Sequence, residues 1–345
     1  MRPLSGTVLG AQLHWLRRRP RAYLGAWWAA VRGNARSPRF LVRALVVVPL
    51  AATFARRMDE LGIDHIHAHW ATHPALAAYV ASRLCGIPYS FTAHAHDIYV
   101  ERPMLEEKIR RATFVVTISE FNRRFLQGLY GRELSERVVV VHCGTDTTVF
   151  RPPPPRESGR WTVVCVASLQ PQKGQRFLIA ACRRLMDQGL PIHCVLVGDG
   201  EMRPALEAQI RDAGLGEVVE LVGQQPRPRV VELIGNADVV VQPSVVLPSG
   251  KMEGIPVALM EALAMERPVV ATAISGVSEL VEHEVTGLLV APASPEQLAD
   301  AIGRLYRDDQ FAARLGQAGR QRVVRDFDLM RSARVLADRF STSRR

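Results

Sequence analysis

The stretch Thr162-Val163-Val164-Cys165-Val166-Ala167-Ser168-Leu169-Gln170-Pro171-Gln172-Lys173-Gly174 decides the fold. Thr162 to Ala167 is a short apolar run rich in β-branched residues and reads as a buried strand; Pro171 and Gly174 mark a turn, and a helical pattern follows from Gln175 to Gln188. Downstream the unit repeats as strand Ile192 to Val197, helix Glu201 to Ala213, strand Val218 to Val222, helix Arg229 to Asn236 and strand Val239 to Val241. Helix Val257 to Met265, strands Pro268 to Ala271 and Gly287 to Val290, helix Pro295 to Leu305 and terminal helices complete it. Upstream the same alternation begins after Asp59, with strands Ile63 to Trp70, Pro88 to His94, Phe114 to Ile118 and Val138 to His142. Between them lie helices Pro74 to Cys85, Met104 to Arg111 and Glu120 to Leu129. Strands alternating with helices of this length predict parallel sheets with helical crossovers.

Arg151-Pro152-Pro153-Pro154-Pro155-Arg156-Glu157-Ser158-Gly159 interrupts the alternation, because consecutive prolines continue neither a helix nor a central strand. The expected organisation is a basic, aromatic helical stretch over 1–58, a Rossmann-like α/β domain over 59–150 and a linker over 151–160. A second Rossmann-like domain follows over 161–325, and a helix over 326–345 returns to the first. Ligands of such sheets sit outside the carboxyl ends of the strands, so a cleft between two facing domains is the expected site.

At 345 residues the chain exceeds the size at which a single core usually stops growing, which also calls for two domains. A hydrophobic fraction of 48% excludes disorder as the theme. Cys85, Cys143, Cys165, Cys182 and Cys194 are odd in number and form no C-x-x-C pair, which reads as reduced thiols in a cytoplasmic protein. The net charge of +10 is concentrated: Arg2 to Arg57 holds eleven arginines and no acidic residue. Trp15, Tyr23, Trp27 and Trp28 are interleaved with them, a mixture that suits an anionic membrane surface; no nucleic-acid motif accompanies it. The longest apolar run, Ala44 to Ala55, is expected to be too short to cross a bilayer, and no secretory signal is expected.

Glu261 stands in the apolar run Val257-Ala258-Leu259-Met260-Glu261-Ala262-Leu263-Ala264-Met265. An ionised carboxylate on a buried helix is costly unless something donates hydrogen bonds to it, and ligand hydroxyls would serve; the plainer reading has Glu261 rim-exposed or paired with an arginine. Just before it, Pro256 suits a helix start and Gly254 permits close backbone approach, leaving the amides of Gly254 and Ile255 near a helix N-terminus that attracts phosphate. Glu253 adds a second carboxylate, so one segment offers the layout of a nucleotide-sugar. Lys173 beside Gly174 can place an ammonium on a diphosphate, and Gly198-Asp199-Gly200 forms a second glycine turn after a strand.

His65, His67 and His69 alternate along one strand and share a face, a metal-ligand spacing that raises a zinc-dependent amidohydrolase-type alternative; a satisfied core histidine is the plainer reading of His65 and His67. Later histidines are scattered, so no metal is expected. His69, His94, His96 and Asp97, at or near strand ends, are instead expected on the acceptor side.

Glu253 through Thr272, Lys173-Gly174, Val197 to Gly200, Asp238 to Ser244 and Ser275 through Val290 together resemble the donor signature of the family 4 retaining glycosyltransferases of GT-B fold. Asp64 to Trp70 and Thr92 to Tyr99 are similar to the colanic acid and amylovoran exopolysaccharide branch. The resemblance implies that Glu261 holds the ribose, Lys173 the diphosphate, and the amides of Gly254 and Ile255 the phosphates or sugar. It places Glu253 against the donor sugar and His94 against the reacting sugar. It implies a lipid-linked saccharide acceptor, no cofactor, and a cytoplasmic enzyme held peripherally on the inner face of the plasma membrane. Two departures stand out. Ala167-Ser168 occupies the place of the usual Gly-Arg, and the chain opens with a basic helical stretch rather than the family's first strand and glycine loop. A missing first strand-helix unit is therefore expected, from a downstream start or a shortened form, with a non-catalytic nucleotide-sugar-binding homologue as the alternative.

Overall fold

Short β-branched runs bounded by glycine and proline become parallel strands throughout, and helices fill every crossover. The computed structural model describes residues 5–154 and 159–343 and divides into two units, Met1–Val141 with Val335–Arg345, and His142–Arg334. Pro155 to Ser158 of the expected linker lie outside the described residues.

The first unit opens with α1 (Gly6–Arg18), α2 (Pro20–Asn34) and α3 (Pro38–Glu60). It continues with β1 (Ile66–His69), α4 (His73–Cys85), β2 (Tyr89–Ala93), α5 (Ala95–Tyr99), α6 (Leu105–Arg111), β3 (Val115–Thr117), α7 (Glu120–Tyr130), α8 (Arg132–Ser135) and β4 (Val138–Val140). The strands pair in parallel in the order β1-β2-β3-β4. Along β1, Ile66 and Ala68 are buried while His67 and His69 take the other face, as strand alternation requires.

The apolar run expected to be too short to cross a bilayer belongs to a longer element. α3 has 23 residues and is long and apolar enough to span, because the helix continues through the residues flanking the run. One face of it is committed within the unit: Ala44, Val48, Ala51, Ala52 and Ala55 are buried, and α3 packs on α1, α2 and α4. Small side chains permit that close approach, and Trp15 of α1 donates its Nε1–H to Ala52 O at 2.8 Å.

The second unit runs β5 (Trp161–Val166), a 3₁₀ turn at Pro171–Lys173, α9 (Gln175–Asp187), β6 (Ile192–Val197), α10 (Arg203–Asp212), β7 (Val219–Gly223), α11 (Arg227–Gly235) and β8 (Val239–Gln242). Then come α12 (Val257–Ala264), β9 (Val269–Thr272), α13 (Val277–Leu280), β10 (Leu288–Val290), α14 (Pro295–Arg307), α15 (Asp309–Asp326) and α16 (Leu329–Thr342), whose second half belongs to the first unit. The parallel sheet is ordered β10-β9-β8-β5-β6-β7. Val163 and Cys165 of β5 enter one apolar layer and Val164 the opposite one, so the sheet is covered on both faces. From β5 the chain winds one way through β6 and β7, then crosses to β8 and winds the other way. The reversal makes the carboxyl ends of β5 and β8 a topological switch point, where ligands of open α/β sheets bind.

Candidate functional site

The loops after β5 and β8 meet at the switch point. Gly174 allows it: its φ is +70°, and a Cβ there would collide with the carbonyl oxygen of Pro243. Lys173, one residue earlier, extends its Nζ to 2.6 Å from Glu253 Oε2, and both side chains are only 18% exposed. Lys251, in the loop that carries Glu253, reaches Gln170 Oε1 at 3.4 Å, and the same oxygen accepts Gln172 Nε2 at 2.6 Å. Beneath them, the buried oxygens Gln172 Oε1 and Ser244 Oγ have no hydrogen-bond partner. Buried polar atoms of that kind are normally satisfied by ligand or water. Neither residue was singled out from sequence: Gln172 sits in no recognisable spacing, and Ser244 entered only as the end of the segment Asp238 to Ser244.

Gly254, Ile255 and Pro256 lead into α12, with Pro256 as N-cap rather than first helical residue, and no side chain caps the first amides of the helix. Gly254 O accepts from Ser275 Oγ at 3.0 Å, which fixes the loop. Glu261, on the second turn of α12, is half-buried, and its carboxylate makes no hydrogen bond to another described residue. Burial pushes its pKa up, partly offset by the charge of Arg227. The alternative of a hydrogen-bonded arginine pair is therefore not what the structure contains. Gly198 and Gly200, expected to let backbone approach the donor, are also required by the fold. A Cβ on Gly198 would collide with the carbonyl oxygen of Ala167 and one on Gly200 with that of Leu169, so both are demanded by the packing of the β6 loop against the β5 loop.

In the first unit, His69 and His94 come together at the ends of β1 and β2, with Nε2 atoms 2.8 Å apart. One ring donates and the other accepts. Trp70, at φ +87°, sets its ring 4.5 Å from that of His94. Burial, and then the neighbouring His69, push the pKa of His94 down to about 4.

Asp97 departs from the expected acceptor-side cluster. β2 stops at Ala93 and His94 caps α5, so the next residues follow helical rather than strand periodicity. Asp97 is 1% exposed, and its Oδ2 accepts Ala71 N–H at 2.8 Å and His94 N–H at 3.3 Å. Burial raises its pKa against those two bonds and the charge of Lys108. It holds the loop rather than presenting a carboxylate. His96 is exposed and lies 3.3 Å from Glu101 Oε2.

Both nitrogens of His65 and of His67 are occupied. His65 contacts Ser90 Oγ at 2.7 Å and Ser343 O at 3.2 Å; His67 contacts Ser90 Oγ at 2.8 Å and Thr92 Oγ1 at 3.0 Å. These two rings are satisfied within the fold, so the zinc alternative loses two of its three aligned ligands. Among the described residues no group of three metal-ligating side chains converges.

The family model described as glycosyl transferases group 1 matches residues 146–322, and that of glycosyltransferase family 4 matches 9–149. The chain belongs to these glycosyltransferases. It is 34% identical over 237 residues to WcaL of Escherichia coli (strain K12), named for colanic acid biosynthesis, covering 68% of this chain and 58% of that one. To the GDP-mannose-dependent alpha-(1-6)-phosphatidylinositol monomannoside mannosyltransferase of Mycobacterium tuberculosis (strain CDC 1551 / Oshkosh) it is 30% identical, covering 82% and 78%. The crystal structure of Anabaena Alr3699/HepE in complex with UDP-glucose superposes with a TM-score of 0.71 at 25% identity, covering 85% of this chain and 82% of that one. The architecture is the GT-B fold of the family. The chain spans 58%, 43% and 59% of the length of the first curated relatives it matches.

Proposed function

We propose that the protein is a retaining glycosyltransferase that moves a sugar from a nucleotide-sugar to a hydroxyl of a lipid-linked saccharide or polysaccharide, in bacterial exopolysaccharide or cell-envelope glycan synthesis. One observation carries the reading: Glu261, half-buried with no hydrogen-bond partner among the described residues, stands on the helix that follows the switch-point loop. The ribose of a nucleotide supplies the two hydroxyl donors such a carboxylate lacks. The Anabaena relative holds UDP-glucose, and the mycobacterial relative is named for GDP-mannose and a phosphatidylinositol mannoside, which supports a nucleotide-sugar donor and a glycolipid acceptor.

The proposed mechanism uses no protein nucleophile. The bond from the anomeric carbon to the diphosphate oxygen breaks as the acceptor oxygen bonds to that carbon on the same face, and the acceptor proton passes to the departing diphosphate. Lys173 and the uncapped N-terminus of α12 face the developing charge, so electrostatic stabilisation of the leaving group is the main contribution. Protein cations and amide dipoles supply that neutralisation with neither cofactor nor metal. For Lys173 to bind phosphate its contact with Glu253 must open, which frees Glu253 to meet the donor sugar. Once its Nε2 gives up the contact with His69, His94 would donate a hydrogen bond to the reacting sugar, with His69 beside it on the acceptor side. The proposed location is the cytoplasmic face of the plasma membrane, held there by the arginine- and tryptophan-rich helices α1 to α3.

Glu261→Ala should weaken UDP or GDP binding by about 1–3 kcal/mol in calorimetry, the usual effect of removing one partner of a buried hydrogen bond. Unchanged affinity would remove Glu261 from the ribose and the proposal with it.

A further inference from the structure

The sequence contains only three lysines, Lys108, Lys173 and Lys251, in a chain whose other cations are arginines. Lys108 is buried, donating to Ala71 O and to Thr72 O at 3.2 Å. The remaining two both stand at the switch point. A lysine ammonium is a compact point charge with three donors that suits a phosphate oxygen.

Lys173 is already matched by Glu253 at 2.6 Å, so the pair is neutral as it stands. A diphosphate approaching it meets a cation with a carboxylate beside it, and needs positive charge from elsewhere. Ser168, at the start of the same loop, is uncharged and has none to offer. Lys251 does: its contact within hydrogen-bond range is the neutral Gln170 Oε1, on the same turn as Lys173. Its backbone is set by a tight turn, with Gly250 at φ +80°, Gly250 N–H on Leu247 O at 2.8 Å and Leu247 N–H on Lys251 O at 2.9 Å. The two orphaned buried oxygens, Gln172 Oε1 and Ser244 Oγ, belong to the same pair of loops and mark the place as one built to receive a polar ligand.

We propose that Lys251 is the second cation of the diphosphate site, supplying from the loop after β8 the charge that the Lys173–Glu253 pair does not. The inference rests on the reading of the second unit as a nucleotide-sugar site. Lys251 lies on a partly exposed loop, so its substitution leaves the core untouched.

Binding of UDP, GDP, UMP and GMP by calorimetry at two salt concentrations tests it, with circular dichroism confirming the fold of each variant. Lys251→Met should lower affinity for the nucleoside diphosphate that wild type binds by about tenfold or more, and make it less salt-dependent, while the matching monophosphate changes by less than about twofold. Lys251→Arg should keep most of the diphosphate affinity. A Lys251→Met protein that binds the diphosphate as wild type does, with Glu261→Ala still impaired, would overturn this inference and leave the donor site standing. Wild type binding neither UDP nor GDP would overturn both.

Discussion

Two side chains that resemble each other in sequence part company at the residue scale. His94 and Asp97 are both candidates for substrate contact by sequence, yet Asp97 Oδ2 accepts two backbone amides while His94 keeps a ring nitrogen turned to His69. With its pKa pushed down to about 4, His94 is neutral at physiological pH and suited to hydrogen bonding rather than to carrying charge. Because the folded value lies below the ordinary 6.5, the unfolded chain takes up the proton first as the pH falls. The stability His94 contributes is therefore complete above about 6.5 and is lost as the pH drops toward about 4. The same shift constrains catalysis: activity should show no titration of His94 between pH 7 and 5.5. His94→Gln should lower kcat by about a hundredfold, in the range seen for loss of one positioned donor, with nucleotide affinity unchanged. An NMR titration placing the His94 midpoint near 6.5, or a variant with full kcat, would contradict this assignment.

Elements show where sequence reading succeeds and where it stops. The strands of the second unit were legible because a sheet covered on both faces needs continuous apolar runs, as in Val163 to Cys165 and Val239 to Val241. Helix α12 was legible because one carboxylate interrupts an apolar run. The five-residue α5 was not, because its start depends on His94 and Asp97 exchanging contacts across a single turn. Lys251 and Gln172 carry no signature either, and Ser244 only closes one; the meeting of two loops far apart in sequence gives them a common site. The helices α1 and α2 bear on the membrane proposal. On α1, Val8, Ala11 and Trp15 are buried, while Leu9, Leu13 and Leu16 form an exposed stripe at helical spacing. α2 exposes Leu24 and Trp28, the latter 65% accessible, in a stretch free of acidic residues. Apolar stripes flanked by arginine suit the interface of an anionic bilayer, while the alanine face of α3 would have to abandon its packing to cross one. Vesicles containing anionic lipid should therefore sediment the protein at low salt and release it at high salt. Zwitterionic vesicles should bind it weakly, and Trp28→Asp should reduce binding. Failure to sediment with anionic vesicles at low salt would remove the membrane from the account.

At the scale of the whole molecule, the chemistry assigned to the donor lies within a single unit. Lys173, Lys251, Glu253, Gly254 to Pro256 and Glu261 all fall between His142 and Arg334, together with both apolar layers that cover the six-stranded sheet. A sheet with both faces already covered has the core it needs to fold, and its switch point is complete without residues from elsewhere. The segment 142–334 produced alone should therefore fold cooperatively and bind UDP or GDP within about tenfold of the full chain, a difference of about 1.4 kcal/mol. It should lose that binding on Glu261→Ala and show no sugar transfer, since His69 and His94 are absent from it. A folded segment that binds neither nucleotide while the full chain binds one would mean that donor recognition needs residues of the first unit, and the division of labour drawn from Glu261 and the switch point would have to be redrawn.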